Sequence, residues 1–254
     1  MRALILLAVF WLGAAAGSFL QVVIYRLRRQ EAWWAGRSYC PHCRRRIRWY
    51  DLFPLVSFLI LRGRCRFCRR RLARQYPLVE LAAGGLFFLG ALYLPWDLTL
   101  VTYWAAVAFF TVLFVYDAAY YLVPDKVSLP AIAVIFLLNL MRGLSLGPLV
   151  LGAALGGAWF LAQFLVSRGR WVGGGDIRLG LLLGVLLGYP LLVLGLLLTY
   201  IGGSLIALFL LGLGRKKLDS RLPFATMLLP SALAVFLWGE NIWRWYGSWL
   251  GFGG

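Results

Sequence analysis

The chain has 254 residues, 62% hydrophobic and only 14% charged, with a mean hydropathy of +0.82. A typical soluble domain carries about 45–50% apolar residues, so this composition excludes a secreted globular protein, a disordered tail and a coiled coil. The formal net charge of +17 is resolved by its distribution: residues 26–74 hold 15 of the 26 basic side chains and only two acids, Glu31 and Asp51. A polytopic all-α membrane protein is the class that remains.

Residues 3–25 form the first apolar run, long enough to cross about 30 Å of hydrocarbon. Arg2 stands alone before it while Arg26, Arg28 and Arg29 follow, which argues against a cleaved signal peptide and for an uncleaved first helix with its N-terminus outside. After a basic segment at 26–76, further apolar runs follow at 77–95, 98–116, 126–141, 147–166, 177–188, 190–213 and 222–238. That predicts about eight transmembrane helices; the sixth is short, and the 188–190 boundary is narrow. The chain thus divides into a first transmembrane helix (1–25), a basic cytoplasmic domain (26–76) and a membrane domain (77–254).

Orientation follows from where Lys and Arg fall. With the N-terminus outside, the inner loops are 26–76, 117–126, 167–178 and 214–221, and together they hold 23 of the 26 basic residues. The last of these loops carries Arg215, Lys216, Lys217 and Arg221. Trp243, Trp245, Tyr246 and Trp249 are then expected as interfacial aromatics on the outer side. Gly13/Gly17, Gly152/Gly156 and Gly180/Gly184/Gly188 recur at a spacing of four, which predicts close helix–helix faces and no chemistry. No internal repeat suggests a transporter built from duplicated halves.

The four cysteines lie in the basic segment as Cys40-Pro-His-Cys43 and Cys65-Arg-Phe-Cys68, with 21 residues between the pairs. Two such knuckles form a four-thiolate zinc site whose closed shell is structural, because no position is left for an activated water. Disulfides are the competing reading, and a reducing cytoplasmic loop disfavours them. His42 is surplus to four sulfurs. A segment with fifteen arginines buries little apolar surface, so the ion supplies folding energy. The arginines are expected to face anionic lipid or water; a nucleic-acid-binding zinc ribbon is the rival reading.

Ionisable groups at membrane depth are costly. Three aspartates fall at inner helix ends: Asp117, Asp125 and Asp176. Asp117 closes the third run, where a carboxylate meets the unfavourable end of the helix dipole. Asp125 fits an N-cap. Asp176 also fits one, but Gly173-Gly174-Gly175 precede it and leave an exposed, flexible backbone that an extended peptide can approach. Two aspartates from different helices can share a proton and split acid and base duties on a peptide bond. No Ser/His or Cys/His nucleophile competes, since His42 is the only histidine.

Gly17-Ser-Phe-Leu-Gln-Val-Val-Ile-Tyr-Arg-Leu27, the cysteine module from Cys40 through Asp51 to Cys68, Tyr76-Pro-Leu-Val-Glu80, Asp117 seven residues before Pro124-Asp125, and Gly173-Gly-Gly-Asp176 occur in that order. Together they resemble the type IV prepilin peptidases (prepilin leader peptidase/N-methyltransferases), membrane aspartic proteases of the Gly-x-Gly-Asp class. The resemblance implies Asp117 and Asp176 as the catalytic pair, with Asp125 outside it, in a multi-pass protein of the bacterial inner membrane. It implies as substrates the basic leaders of type IV prepilins or type II secretion pseudopilins, cut after a glycine on the cytoplasmic side. It also implies methylation of the new N-terminus from S-adenosylmethionine, with Gly63 and its cysteine loop as the cofactor location, although no Gly-rich cofactor loop is present. Gln21 stands where the family usually has Asn, and Arg178 where Lys commonly follows the Gly-x-Gly-Asp. Asp51, Glu80 or lipid phosphates are the groups expected to receive the positive leader. A proton-coupled transporter using buried carboxylates and a membrane-tethered nucleic-acid-binding zinc protein stand as alternatives.

Overall fold

The computed structural model describes residues 1–32, 36–214 and 222–249. Among them the chain forms nine α-helices and no strands: α1 (Arg2–Arg28), α2 (Val56–Ile60), α3 (Gln75–Tyr93), α4 (Leu98–Tyr120), α5 (Asp125–Met141), α6 (Leu146–Ser167), α7 (Gly174–Leu187), α8 (Leu191–Gly212) and α9 (Ala225–Trp249). Each of the eight apolar runs falls on one of the eight longer helices. Six of these are long and apolar enough to cross a membrane. The exceptions are α5 with 17 residues and α7 with 14, the latter about 21 Å long at 1.5 Å per residue.

The narrow 188–190 boundary is a real break. α7 ends at Leu187, Gly188 turns the chain at φ +65°, and α8 begins after Pro190. The last helix runs further than its apolar stretch, so Trp243 and Trp245 lie on α9 itself. The side chains of Tyr246 and Trp249, and the basic residues Arg215, Lys216, Lys217 and Arg221, lie outside the described part.

The chain divides into two compact units, Met1–Trp96 and Asp97–Gly254. In the first, α1 packs along α3. The glycine spacing explains the closeness: a Cβ at Gly13 would meet the Phe87 side chain at 2.6 Å, and one at Gly17 would meet Ala83 at 2.9 Å. In the second unit α6 packs on α7, and α7 also touches α5, α8 and α9. There the glycines face one another, Gly156 against Gly180 and Gly152 against Gly184, so the two backbones are in contact. Leu179, Leu182 and Leu183 of α7 are fully buried, which fixes the short helix as the centre of this unit.

Candidate active site and metal centre

Four helix ends of the second unit meet at one place. Asp117 sits one turn before the end of α4, buried to 6% exposure. Its Oδ2 accepts a hydrogen bond of 2.9 Å from the backbone N–H of Ala225, the first residue of α9, and the Thr226 N–H also bonds it. The unfavourable dipole of α4 is thereby offset by the positive end of another helix. Asp176 is the third residue of α7, and its Oδ2 accepts from the Gly173 N–H at 2.8 Å, the one half of a capping box that a glycine at the cap allows. It is half-buried, and its carboxylate lies within Coulombic range of Asp117.

Asp125 differs from the expected N-cap. Pro124 occupies the cap position, and the Asp125 side chain, in the first turn of α5, is ion-paired with Arg178 of α7. The pair ties the start of α5 to the start of α7 and leaves Asp125 exposed. The pairing of Arg178 with Asp125 and the N–H groups of Ala225 and Thr226 are the site features that the sequence reading did not find.

The triple glycine is more ordered than expected. Gly174 and Gly175 belong to the first turn of α7, and none of the three has positive φ. Gly175 is required by contact, since a Cβ there would meet Val123 at 2.8 Å. Gly173 and Gly174 are exposed, and a Cβ at Gly174 would meet nothing within 4 Å. An approachable backbone therefore borders the Asp176 carboxylate.

The cysteines come together in the first unit, their four Sγ atoms within 4.8 Å of one another. A tetrahedral ion with Zn–S of about 2.3 Å needs sulfurs about 3.8 Å apart, so small side-chain adjustments close the shell. The two knuckles are built alike. The Cys40 N–H bonds the Arg45 carbonyl and the Cys65 N–H bonds the Arg70 carbonyl, both at 3.0 Å. Arg44 and Arg69, each following the second cysteine, turn at φ +54° and +58°, and one β-bridge closes each loop. Burial pushes the Cys40 thiol up to about 11. At Cys65 burial raises the thiol, but hydrogen bonds from the Cys68 and Phe67 N–H groups and with the Cys40 and Cys68 side chains together outweigh it and bring the thiol down to about 7. No disulfide forms among these cysteines, and His42 is absent from the cluster.

The arginines do not all face outward. Arg26 is buried and donates to the carbonyls of Ala32 and Arg37. Arg45 and Arg48 stack on Phe67, and Arg66 grips Asp51 through two guanidinium nitrogens. Asp51 is therefore ion-paired within its own segment. Glu80 is buried as well, its Oε2 accepting from the Leu55 N–H at 2.8 Å. Gly63 turns at φ +66° just before the second knuckle, and a Cβ there would strike Phe58 at 2.9 Å. A glycine is thus demanded by backbone and by space.

Comparison with known proteins matches residues 11–94 to the bacterial peptidase A24 N-terminal domain and residues 104–211 to the type IV leader peptidase family. The chain is 33% identical to a prepilin leader peptidase/N-methyltransferase of Aeromonas hydrophila, over 94% of this chain and 92% of that one. It is 32% identical to one from Burkholderia pseudomallei strain 1026b (93% and 86%) and 30% identical to one from Bacillus subtilis strain 168 (93% and 96%). No solved structure matches. A multi-pass helical chain with two aspartates at converging helix ends, and this similarity along nearly its whole length, belongs to the type IV leader peptidase family.

Proposed function

We propose that this chain is a membrane aspartic endopeptidase that removes the leaders of type IV prepilins or pseudopilins and then methylates the new N-terminal amine. The observation that carries the reading is that the carboxylate of Asp176 acts electrostatically on that of Asp117, from a helix far away in sequence and beside an exposed glycine backbone. Two carboxylates this near cannot both ionise cheaply, so they share one proton. The ionised member takes a proton from water as the oxygen attacks the scissile carbonyl. The protonated member hydrogen-bonds the carbonyl oxygen and stabilises its developing charge. The amine then leaves with a proton returned from the pair. Gly173 and Gly174 give the extended substrate room to lie against the backbone.

The positive-inside distribution supports a cytoplasmic position in a bacterial inner membrane for the site residues and for the 26–76 segment. In that segment Cys40, Cys43, Cys65 and Cys68 hold a structural zinc ion, and the outward arginines meet anionic lipid. The largely apolar spans do not suggest the polar path a transporter needs, and nucleic acid is not among the proposed partners. S-adenosylmethionine, when bound, supplies an electrophilic methyl group for the unprotonated amine. The test is the mass of a co-expressed prepilin. Loss of the leader, abolished by Asp117→Ala and by Asp176→Ala, is expected; cleavage that survives either change overturns the mechanism, and absence of the added methyl overturns the second activity.

A further inference from the structure

Within the basic segment lies one apolar stretch that neither the cysteine site nor the peptidase chemistry uses. Leu52-Phe-Pro-Leu-Val-Ser-Phe-Leu-Ile-Leu61 runs between two basic flanks, Arg44-Arg-Arg-Ile-Arg48 before it and Arg62-Gly-Arg64 after it. Trp49 and Tyr50 stand at its entrance, where a membrane surface favours aromatic side chains. Ten such residues are too few to cross a bilayer but enough to enter one leaflet and return.

The stretch folds as such a return. A single 3-10 turn at Trp49–Leu52 leads to Leu55, which reverses the chain at φ +59°, and the short α2 carries it back to Arg62. Two contacts give its depth. The Leu55 N–H donates to Glu80 Oε2, and the backbone of Glu80 lies against Gly17 of α1. Gly17 is eight residues inside Tyr25, the end of the first apolar run, or about 12 Å at 1.5 Å per residue. The Phe53 ring meets Trp11, six residues deeper on α1, with centroids 5.5 Å apart. The turn therefore sits at the depth of the hydrocarbon, whose half-thickness is about 15 Å.

Polar backbone at that depth must be satisfied from within the protein. The N–H groups of Ser57, Leu59, Leu61 and Gly63 bond carbonyls of the same stretch, and the Ser57 hydroxyl bonds the Phe53 carbonyl. The Leu55 N–H, at the reversal, is taken by Glu80 instead. That gives a reason for a carboxylate buried on a helix able to span the membrane. The apolar side chains are left uncovered, with Leu59 73% and Ile60 70% exposed.

We propose that residues 52–61 are a re-entrant segment sunk into one leaflet, with lipid acyl chains as the partner of Leu59 and Ile60. Glu80 is the clasp on its turn. The basic flanks then lie among the headgroups, and the cysteine site is held against the membrane surface instead of hanging on a free loop. Naming the leaflet as the cytoplasmic one rests on the orientation proposed above.

The experiment places the photocrosslinking residue p-benzoylphenylalanine at Leu59, at Ile60 or, as a control, at the exposed Arg70. The full chain is reconstituted in vesicles of phosphatidylethanolamine and phosphatidylglycerol. Adducts are mapped by mass spectrometry, and zinc content is read in each preparation. Acyl-chain adducts at Leu59 and Ile60 are expected about tenfold or more above those at Arg70, since a position in water meets no acyl chain. Glu80→Gln keeps an acceptor oxygen and should keep the adducts, whereas Glu80→Leu should lower them about threefold or more. If Glu80→Leu fails to retain zinc, the ratio between Leu59 or Ile60 and Arg70 decides alone. Yields equal to those at Arg70, or adducts chiefly on protein (a second copy or added prepilin included), overturn the insertion. Protease cleavage of residues 62–74 from outside intact spheroplasts overturns the orientation alone, because the adducts do not depend on which leaflet is entered.

Discussion

Replacing Asp176 in two ways separates its chemistry from its structural role. Asp176 caps α7 through Gly173 and also faces Asp117. In Asp176→Asn the side-chain carbonyl still accepts from the Gly173 N–H, so the helix start is kept while the exchangeable proton is lost. Positioned acid–base catalysis is worth about 10²- to 10⁴-fold, or about 2.7–5.4 kcal/mol in the barrier. Asp176→Ala loses the same rate and also the hydrogen bond to the Gly173 N–H, which costs about 1 kcal/mol of stability. Single-turnover cleavage of a purified prepilin in detergent, with thermal unfolding of each variant, is the assay. Both variants should fall to the same residual rate, and only the alanine should unfold earlier. A rate for Asp176→Asn within tenfold of wild type would refute the shared-proton mechanism, since the one group changed would then not be moving a proton.

Asp125→Asn removes an exposed ion pair worth about 1 kcal/mol or less, and should change kcat less than about fivefold, against the near-complete loss at Asp117; equal losses at the two positions would put Asp125 in the reaction. Gly174→Ala has free space, so unfolding should be unchanged while KM for prepilin rises, and an unchanged KM would remove the substrate role of that backbone. Gly156→Ala forces α6 off α7 and should destabilise by about 1–3 kcal/mol, read in the same unfolding assay. Cys65 titrates near 7, below its ordinary value, so its thiolate is present at higher pH and is lost as pH falls through 7. Zinc uptake by metal-free protein should therefore drop tenfold or more between about pH 8 and pH 6, followed with a chromophoric chelator; uptake independent of pH would contradict thiolate ligation.

The features legible in the sequence are those set by local composition. Apolar runs mark α1 and α3–α9 because a bilayer selects length and hydropathy, and the four-residue glycine spacing marks α6 against α7 because helical periodicity puts those residues on one face. Pairings across long separations were not legible. The Asp117 anchor on Ala225 is a backbone N–H, which no side-chain pattern advertises, 108 residues away. Arg178 reads as a basic residue after the Gly-x-Gly-Asp with no partner in view until Asp125, 53 residues before it, is beside it. Asp51 looks open in a polar loop, yet Arg66 occupies it. One signal was available: Cys40-Pro-His-Cys-Arg-Arg-Arg-Ile47 and Cys65-Arg-Phe-Cys-Arg-Arg-Arg-Leu72 repeat one pattern, and the repeat announces two knuckles with the same left-handed turn.

Because α9 supplies the N–H groups that steady Asp117, every proposed reacting side chain precedes the segment on which one of them leans. A ribosome that has released residues 1–224 has made both aspartates but not the Ala225 and Thr226 N–H groups that hold Asp117. The proposed site is thus complete only once the last helix has been made, so its assembly waits on the final stage of translation.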